Sequence, residues 1–184
     1  LKFQVKANRI IIHAEADIIC PFVAIFSPVE NIVRHTVTFV KKNLSGAEGG
    51  HDWYHIERVW QMARFIRQEE KRGDRLTIEL AALLHDIGKG RDEDHSILGA
   101  QIARKVAPRL GLKKKECETV EWLIRNHLLM SDTAQKRDIA EPRTVRGFAK
   151  AVKSVERLDL LCVLTVCDIR GVGPGTWNNW KAVL

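Results

Sequence analysis

ELAALLHDIGKG, residues 79–90, is the stretch on which the fold turns. It and its surroundings are apolar nearly all round: Leu76, Ile78, Leu80, Ala81, Ala82, Leu83, Leu84 and Ile87. A helix without a polar stripe is a buried helix. Its last turn nevertheless carries His85 and Asp86, followed by Gly88, Lys89 and Gly90. A buried carboxylate is costly unless it is paired or bound to a metal. Successive helix positions point about 100° apart, so a His-Asp pair at a helix end can hold one cation between its members. One oxygen of Asp86 is then left over for a second cation. The bland alternative is an incidental His-Asp pair at the surface.

On the N-terminal side, HDWYH (51–55) opens a helix expected to run to about Arg72, with Asp52 as its candidate N-cap. His55, Val59, Met62 and Ile66 share one stripe, which turns His55 toward the core. Taken alone, a His on an apolar face is more often a satisfied core residue than a ligand. His51 obeys no periodicity and is a candidate to support the ligands from behind. Gly73 and Asp74 turn the chain into the central helix. Further upstream, residues 30–44 have helical spacing in Ile32, Val33, Val37, Phe39 and Val40, and His35 reads as an ordinary helix residue. Residues 45–50 form a Gly-rich loop. Residues 1–29 suit a short strand or two, broken by Pro21 and Pro28, and are left unassigned.

On the C-terminal side, residues 88–94 read as a loop, and His95 stands near the start of a helix over 96 to about 109, ended by Gly111. In a helix from about 113 to 129, Val120, Leu123, Ile124, His127 and Leu128 share a face, so His127 also points inward. MSDTAQKRDIAE (130–141) reads as a polar loop, and Pro142 is placed to start an amphipathic helix over 143–154. Residues 156–170 are the second very apolar helix, with Leu158, Leu160, Leu161, Val163, Leu164, Val166 and Ile169. Asp168 is its only acid after Asp159 and shares a face with Leu161 and Leu164. A lone carboxylate there needs a partner. Residues 171–175 end this helix, and 177–184 begin another.

The 184 residues suffice for one domain with a real core, taken as 30–184. The expected fold is all-α, a single bundle of about seven or eight helices. A net charge of +7 suits an anionic substrate or partner. Lys and Arg are scattered without an aromatic-interleaved stripe, so a nucleic acid is not expected. Cys20, Cys117, Cys162 and Cys167 have no CxxC spacing. Cys162 and Cys167 read as small core residues of a reducing compartment. Residues 10–29 are interrupted by His13, Glu15, Asp17, Pro21 and Pro28, which makes a poor membrane span. A cytoplasmic location is expected. The chain starts at Leu1 and stops at Leu184 inside what reads as a continuing helix, as expected of a fragment.

Three apolar helices thus each offer inward ligand groups, His55, His85-Asp86 and Asp168, and His95 and His127 follow. Mixed imidazole and carboxylate donors suit Mn²⁺, Fe²⁺, Co²⁺, Ni²⁺ or Zn²⁺, with Mg²⁺ favouring more oxygens. Six groups exceed one tetrahedral site, so one or two divalent ions are expected, with Asp86 as the bridge. Two metals can activate a water and stabilise the attacking and leaving oxygens at phosphorus. Asp86 and Lys89 are the candidate catalytic residues. Lys89 and Arg91 are placed to hold phosphate oxygens. The Lys89 side chain is expected to swing free of the core, because Gly88 ends the helix before it.

The order His55, His85-Asp86, Asp168 resembles the H…HD…D pattern of the HD superfamily of metal-dependent phosphohydrolases. The resemblance implies that these four hold a first metal, while His95 and His127 accompany a second in members that cleave phosphodiesters. Residues 84–184 are similar to the uridylyl-removing HD domain of the bifunctional uridylyltransferase/uridylyl-removing family. HDIGKGRDEDHSILGA (85–100), WLIRNHLLMSDTAQKRDI (122–139) and ERLDLLCVLTVCDIRGVGPGTWNNWKA (156–182) carry that likeness. GGHDWYHIERVW…ELAALLHDI (49–87) instead looks like small stand-alone HD hydrolases, as in a divergent, recombined or artificial chain. The likeness implies hydrolysis of a phosphoester or phosphodiester by metal-activated water. Its most specific expectation is removal of UMP from a uridylylated tyrosine on the PII signal protein. A stand-alone nucleotide phosphohydrolase and a non-catalytic HD regulatory module are the alternatives. The 184 residues show neither a Gly-Ser nucleotidyltransferase signature nor an ACT domain, so transferase activity and glutamine control are not carried over.

Overall fold

A computed structural model describes residues 2–6, 9–13, 27–44, 53–173 and 175–176. Lys2–Lys6 (β1) and Arg9–His13 (β2) pair antiparallel, with Gln4 opposite Ile11. From residue 28 onward the described fold is all-α. Its helices are Pro28–Leu44 (α1), Trp53–Glu70 (α2), Arg75–Leu84 (α3), His95–Val106 (α4), Lys114–Arg125 (α5), Leu129–Lys136 (α6), Pro142–Val152 (α7) and Val155–Gly171 (α8). A 3₁₀ turn, Ala107–Leu110, extends α4 until Gly111 takes a left-handed φ of 85°.

The starts of these helices follow their capping residues. Asp74 Oδ1 accepts from Thr77 N at 2.7 Å, and Asp94 Oδ1 accepts from Ser96 N at 2.8 Å and Ile97 N at 3.1 Å. Ser154 Oγ accepts from Arg157 N at 3.2 Å. Each bond satisfies a backbone donor that the first helical turn leaves without a partner.

All residues from Thr77 to Leu84 of α3 are buried, and two cores meet on it. Leu80, Leu83, Leu84 and Ile87 pack with α1, α4 and α5 through Val33, Val40, Ala100 and Ile124. Ile78, Ala81 and Ala82 pack with α2 and α8 through Val59, Ala63, Leu161 and Leu164. Each large aliphatic side chain buried there contributes roughly 1.5–3 kcal/mol of transfer free energy. That burial is what places the end of α3 at the centre of the molecule. Glu79 is wholly buried on the same helix. It is satisfied by Arg75 Nε at 2.7 Å and Trp60 Nε1 at 2.9 Å, and Arg75 reaches on to Glu30 of α1 at 2.9 Å.

Several sequence expectations are corrected. The segment 130–141 is not all loop, because Leu129–Lys136 is helical. Leu129 and Met130 anchor it on the second core, and Lys136 pairs with Asp132 one turn away at 2.9 Å. Two apolar residues are too few to write a stripe in sequence. Helix α3 stops at Leu84 and α5 at Arg125, so His85, Asp86 and His127 lie in the turns just beyond them. Cys167 is buried but Cys162 is exposed, since α8 turns that side to solvent. His51, Asp52, Cys20 and the helix expected over 177–184 lie outside the described residues.

Candidate metal centre

His55 enters from the first turn of α2, and Asp168 from the last turn of α8. His95 opens α4. His85 and Asp86 come from the turn after α3, and His127 from the turn after α5. These six side chains converge. His55 Nε2 lies 3.1 Å from Asp168 Oδ1 and 3.5 Å from Asp86 Oδ2. His85 Nε2 lies 3.4 Å from Asp86 Oδ2 and 3.6 Å from Asp168 Oδ1. The other oxygen of the same carboxylate, Asp86 Oδ1, is 3.8 Å from His127 Nε2 and 3.9 Å from His95 Nε2. Two groups of potential ligand atoms result, His55/His85/Asp86/Asp168 and Asp86/His95/His127, each within 4.8 Å. Asp86 belongs to both.

The helix ends explain the ring orientations. A helix leaves its last carbonyls without intrahelical donors. His85 Nδ1 lies 2.7 Å from Ala82 O, and His127 Nδ1 lies 2.7 Å from Ile124 O, three residues back in each case. A carbonyl only accepts, so each Nδ1 carries the hydrogen. On His127, whose ring burial keeps neutral, Nε2 then presents its lone pair toward Asp86, whereas His85 Nε2 carries a proton toward Asp86 and Asp168 that a cation would replace.

Asp86 tests whether these residues fit a cation. Both its oxygens are buried; Oδ1 accepts no hydrogen bond, and Oδ2 faces the Lys89 ammonium at 2.6 Å. Imidazole nitrogens flank it on both sides. The orphaned Oδ1 between the imidazoles of His95 and His127 is a place for a cation, and the mixed N/O donor set suits a divalent ion. The fit is good. Asp168 and His95, 18% and 24% exposed, mark the side open to solvent.

Electrostatics express the same gathering of charge. Burial pushes His85 down, but the field of Asp86 and contacts with Asp168 and Asp86 together raise it to about 10. Burial pushes Asp86 up, but His85 and then Lys89 hold it well below the usual carboxylate range. Asp168 is depressed in the same way, against its burial, by His55 and His85. Burial lowers His127 to about 4, helped by the charge on His85. Burial also lowers His95, with Asp86 opposing.

Lys89 differs from expectation. Its Nζ lies 2.6 Å from Asp86 Oδ2 and its side chain is 22% exposed, so it folds back rather than swinging free. The buried carboxylate three residues earlier attracts it. The turn past α3 continues through Ile87 N to Leu84 O and Lys89 N to Asp86 O, and it is Gly90, with φ of 78°, that redirects the chain. Arg91 is exposed in the loop that follows. Three positioning features are absent from the sequence reading. Arg58 Nε donates to Gly171 O at 2.7 Å, tying the end of α8 to α2. A Cβ on Gly171 would meet Val59 Cγ2 at 2.6 Å and the His55 ring at 3.4 Å. A Cβ on Gly88 would meet His95 O at 2.4 Å. No periodicity marks a glycine or an exposed arginine for such a role. Glu79, buried on α3, is a further acid in an apolar helix, the same signal that marks Asp168.

The HD domain family profile matches residues 52–169, the span that holds all six convergent side chains. The chain belongs to the HD domain family. Its described residues hold an intact His/Asp cluster of metal-binding type. The HD domain is similar to the bifunctional uridylyltransferase/uridylyl-removing enzyme of Cereibacter sphaeroides, 80% identical over 110 residues, which is 60% of this chain and 12% of that protein. The enzyme of the same name from Bradyrhizobium sp. (strain ORS 278) is 51% identical over 136 residues, 74% of this chain and 14% of that protein. The chain thus spans about an eighth of the curated relatives it matches. Among solved structures, an HD-superfamily hydrolase from Bacillus thuringiensis aligns with a TM-score of 0.46 and 23% identity, covering 76% of this chain and 92% of that one. Among the described residues, no helix is long and apolar enough to cross a membrane.

Proposed function

We propose that this HD domain hydrolyses the phosphodiester that joins a nucleotide to a protein, with uridylylated PII-like signal protein as its substrate and UMP as a product. The observation that carries this reading is the 80% identity over 110 residues to a uridylyl-removing enzyme. The convergent cluster supports it. His55, His85, Asp86 and Asp168 would hold one divalent cation, and Asp86, His95 and His127 a second. Mn²⁺, Mg²⁺, Fe²⁺, Co²⁺, Ni²⁺ and Zn²⁺ are the candidates. Such a cation supplies Lewis acidity and lowers the pKa of water.

The chain's own residues do the rest. Ala82 O and Ile124 O lock His85 and His127 with Nε2 inward. Asp86 joins the two donor groups through its two oxygens. Lys89, near the solvent side, binds a non-bridging phosphate oxygen as charge builds on it. Arg91 adds a second, more exposed charge for the substrate. We take the domain as residues 30–184, including α1, which packs on α3.

A stand-alone nucleotide phosphohydrolase is the second reading, favoured by the character of residues 49–87. The test is hydrolysis of uridylylated PII against a nucleotide panel, for wild type and Asp86→Ala. We expect UMP release from PII by wild type. In Asp86→Ala we expect loss of at least about a thousandfold in kcat/KM, roughly 4 kcal/mol, with reduced bound metal. Nucleotide cleavage without UMP release from PII would favour the second reading. Full activity of Asp86→Ala would remove the metal-centre reading altogether.

A further inference from the structure

The hairpin of α6 and α7 sits on the body through few side chains. Helix α6 has no buried residue, and α7 buries only Val152. Their free faces, with α8, enclose a cleft of about 250 Å³ lined by Met130, Ile139, Val145, Phe148 and Leu158. A second hollow, about 340 Å³, shares Phe148 with the first and is bordered by Arg137 and Arg143. Ile139 and Val145 are each 56% exposed. Clustered apolar side chains open to water mark an interaction surface.

The rim is basic. Arg137 and Arg143 border the second hollow, are exposed and form no ion pair among the described residues; Arg146, Lys150 and Lys153 are exposed further along the same segment. Of the three acids on this segment, one pairs with a lysine and two cap backbone N–H groups while keeping their charge. Asp132 pairs with Lys136, Asp138 Oδ1 accepts from Ala140 N, and Glu141 Oε1 accepts from Arg143 N.

We infer that the α6–α7 cleft docks an acidic segment of the protein substrate, whose apolar side chains enter between Ile139, Val145 and Phe148. Charge decides the occupant: an apolar floor bordered by two unpaired arginines, on a segment (129–153) with six basic and three acidic residues, complements carboxylates around an apolar anchor. The lining disfavours a nucleic acid, because Phe148 is its only aromatic residue and offers no stacking platform. The location suits a macromolecule. Helix α6 starts two residues after His127. Leu158, in the cleft, and Asp168, in the ligand cluster, are ten residues apart on α8, roughly 15 Å along its axis. A protein resting on the cleft can therefore carry its ester to the cluster. This inference rests on the proposed function in taking a nucleotidylated protein as the substrate.

The test uses Arg137→Glu/Arg143→Glu and Val145→Asp, all at exposed positions, with folding checked by thermal melting. Kinetics are measured on uridylylated PII and on bis(p-nitrophenyl) phosphate, and PII affinity by interferometry. We expect kcat/KM for uridylylated PII to fall about tenfold or more through KM, with the small diester changed by less than about twofold. Wild-type affinity for PII should weaken at high salt, and less so in the charge-reversed variant. Equal losses on both substrates, no loss on either, or salt-insensitive affinity overturns the docking site. If wild type leaves uridylylated PII uncleaved yet binds PII more tightly than the variants do, the substrate assignment falls and the docking site stands. If wild type binds no PII, the docking site falls as well.

Discussion

Lys89 and Asp86 act as one unit at the residue scale. The ammonium sits 2.6 Å from Asp86 Oδ2, the oxygen that also faces His55 and His85. An ammonium there competes with a cation for the same oxygen, yet its charge serves an anionic transition state. The two roles give opposite signs on substitution. Lys89→Met should tighten metal binding, read by calorimetric titration. The same variant should cut kcat/KM on a phosphodiester at saturating metal by about ten- to a thousandfold, roughly 1.4–4 kcal/mol. Weaker metal binding, or a kinetic change under about twofold, would return Lys89 to an ordinary surface pair.

Among elements, the spacing of the two donor groups depends on glycines that let helices touch. The turn after α3 meets the start of α4 where a Cβ on Gly88 would lie 2.4 Å from His95 O and 3.1 Å from Gly99 N. The end of α8 meets α2 where a Cβ on Gly171 would lie 2.6 Å from Val59 Cγ2. Backbone atoms cannot yield as a flexible side chain can. Gly88→Ala should therefore displace His95 and cost one of two bound ions, leaving His55, His85 and Asp168 loaded. Gly171→Ala should part His55 from Asp168 and empty the first group. Each should lose about 1–3 kcal/mol of stability, as overpacking does. Metal stoichiometry by mass spectrometry, beside urea unfolding, checks both. Wild-type stoichiometry in Gly88→Ala would show that α4 can move without carrying His95 away.

For the whole molecule, the six convergent side chains come from α2, α4, α8 and the turns after α3 and α5, so a metal held by them would be linked to folding. Removing a metal present at about a hundred times its Kd should cost about 2.7 kcal/mol. For a chain of this length that is a drop in Tm of roughly 5–11 °C, measured by scanning fluorimetry with chelator. The chelated protein should also show a definite pH profile. Asp86 and Asp168 are depressed, so their contribution is present above the ordinary carboxylate value of 3.8 and is lost as pH falls. His85 is raised from 6.5 to about 10, so its contribution is complete below 6.5 and is lost as pH climbs toward 10. Tm should peak between these limits and fall on the alkaline side. Asp86→Asn should flatten the alkaline fall, and a fall as steep as in wild type would exclude His85 as its source.

The residues alone determined that this is an all-α domain built around a buried helix, and that His55, His85-Asp86, His127 and Asp168 face inward. Apolar periodicity writes direction into sequence, and a polar group on an apolar stripe stands out against it. Tertiary structure decided what periodicity does not encode. The His85-Asp86 pair and His127 lie beyond their helix ends, and unpaired carbonyls there orient the histidines. Lys89 turns to Asp86 because the nearest buried charge, not the local backbone, sets where a long side chain goes. Gly88, Gly171 and Arg58 matter only where two helices meet. Helix α6 forms because Leu129 and Met130 find the second core. The Gly171, Arg58 and α6 contacts join residues far apart in the chain, and no local pattern records them.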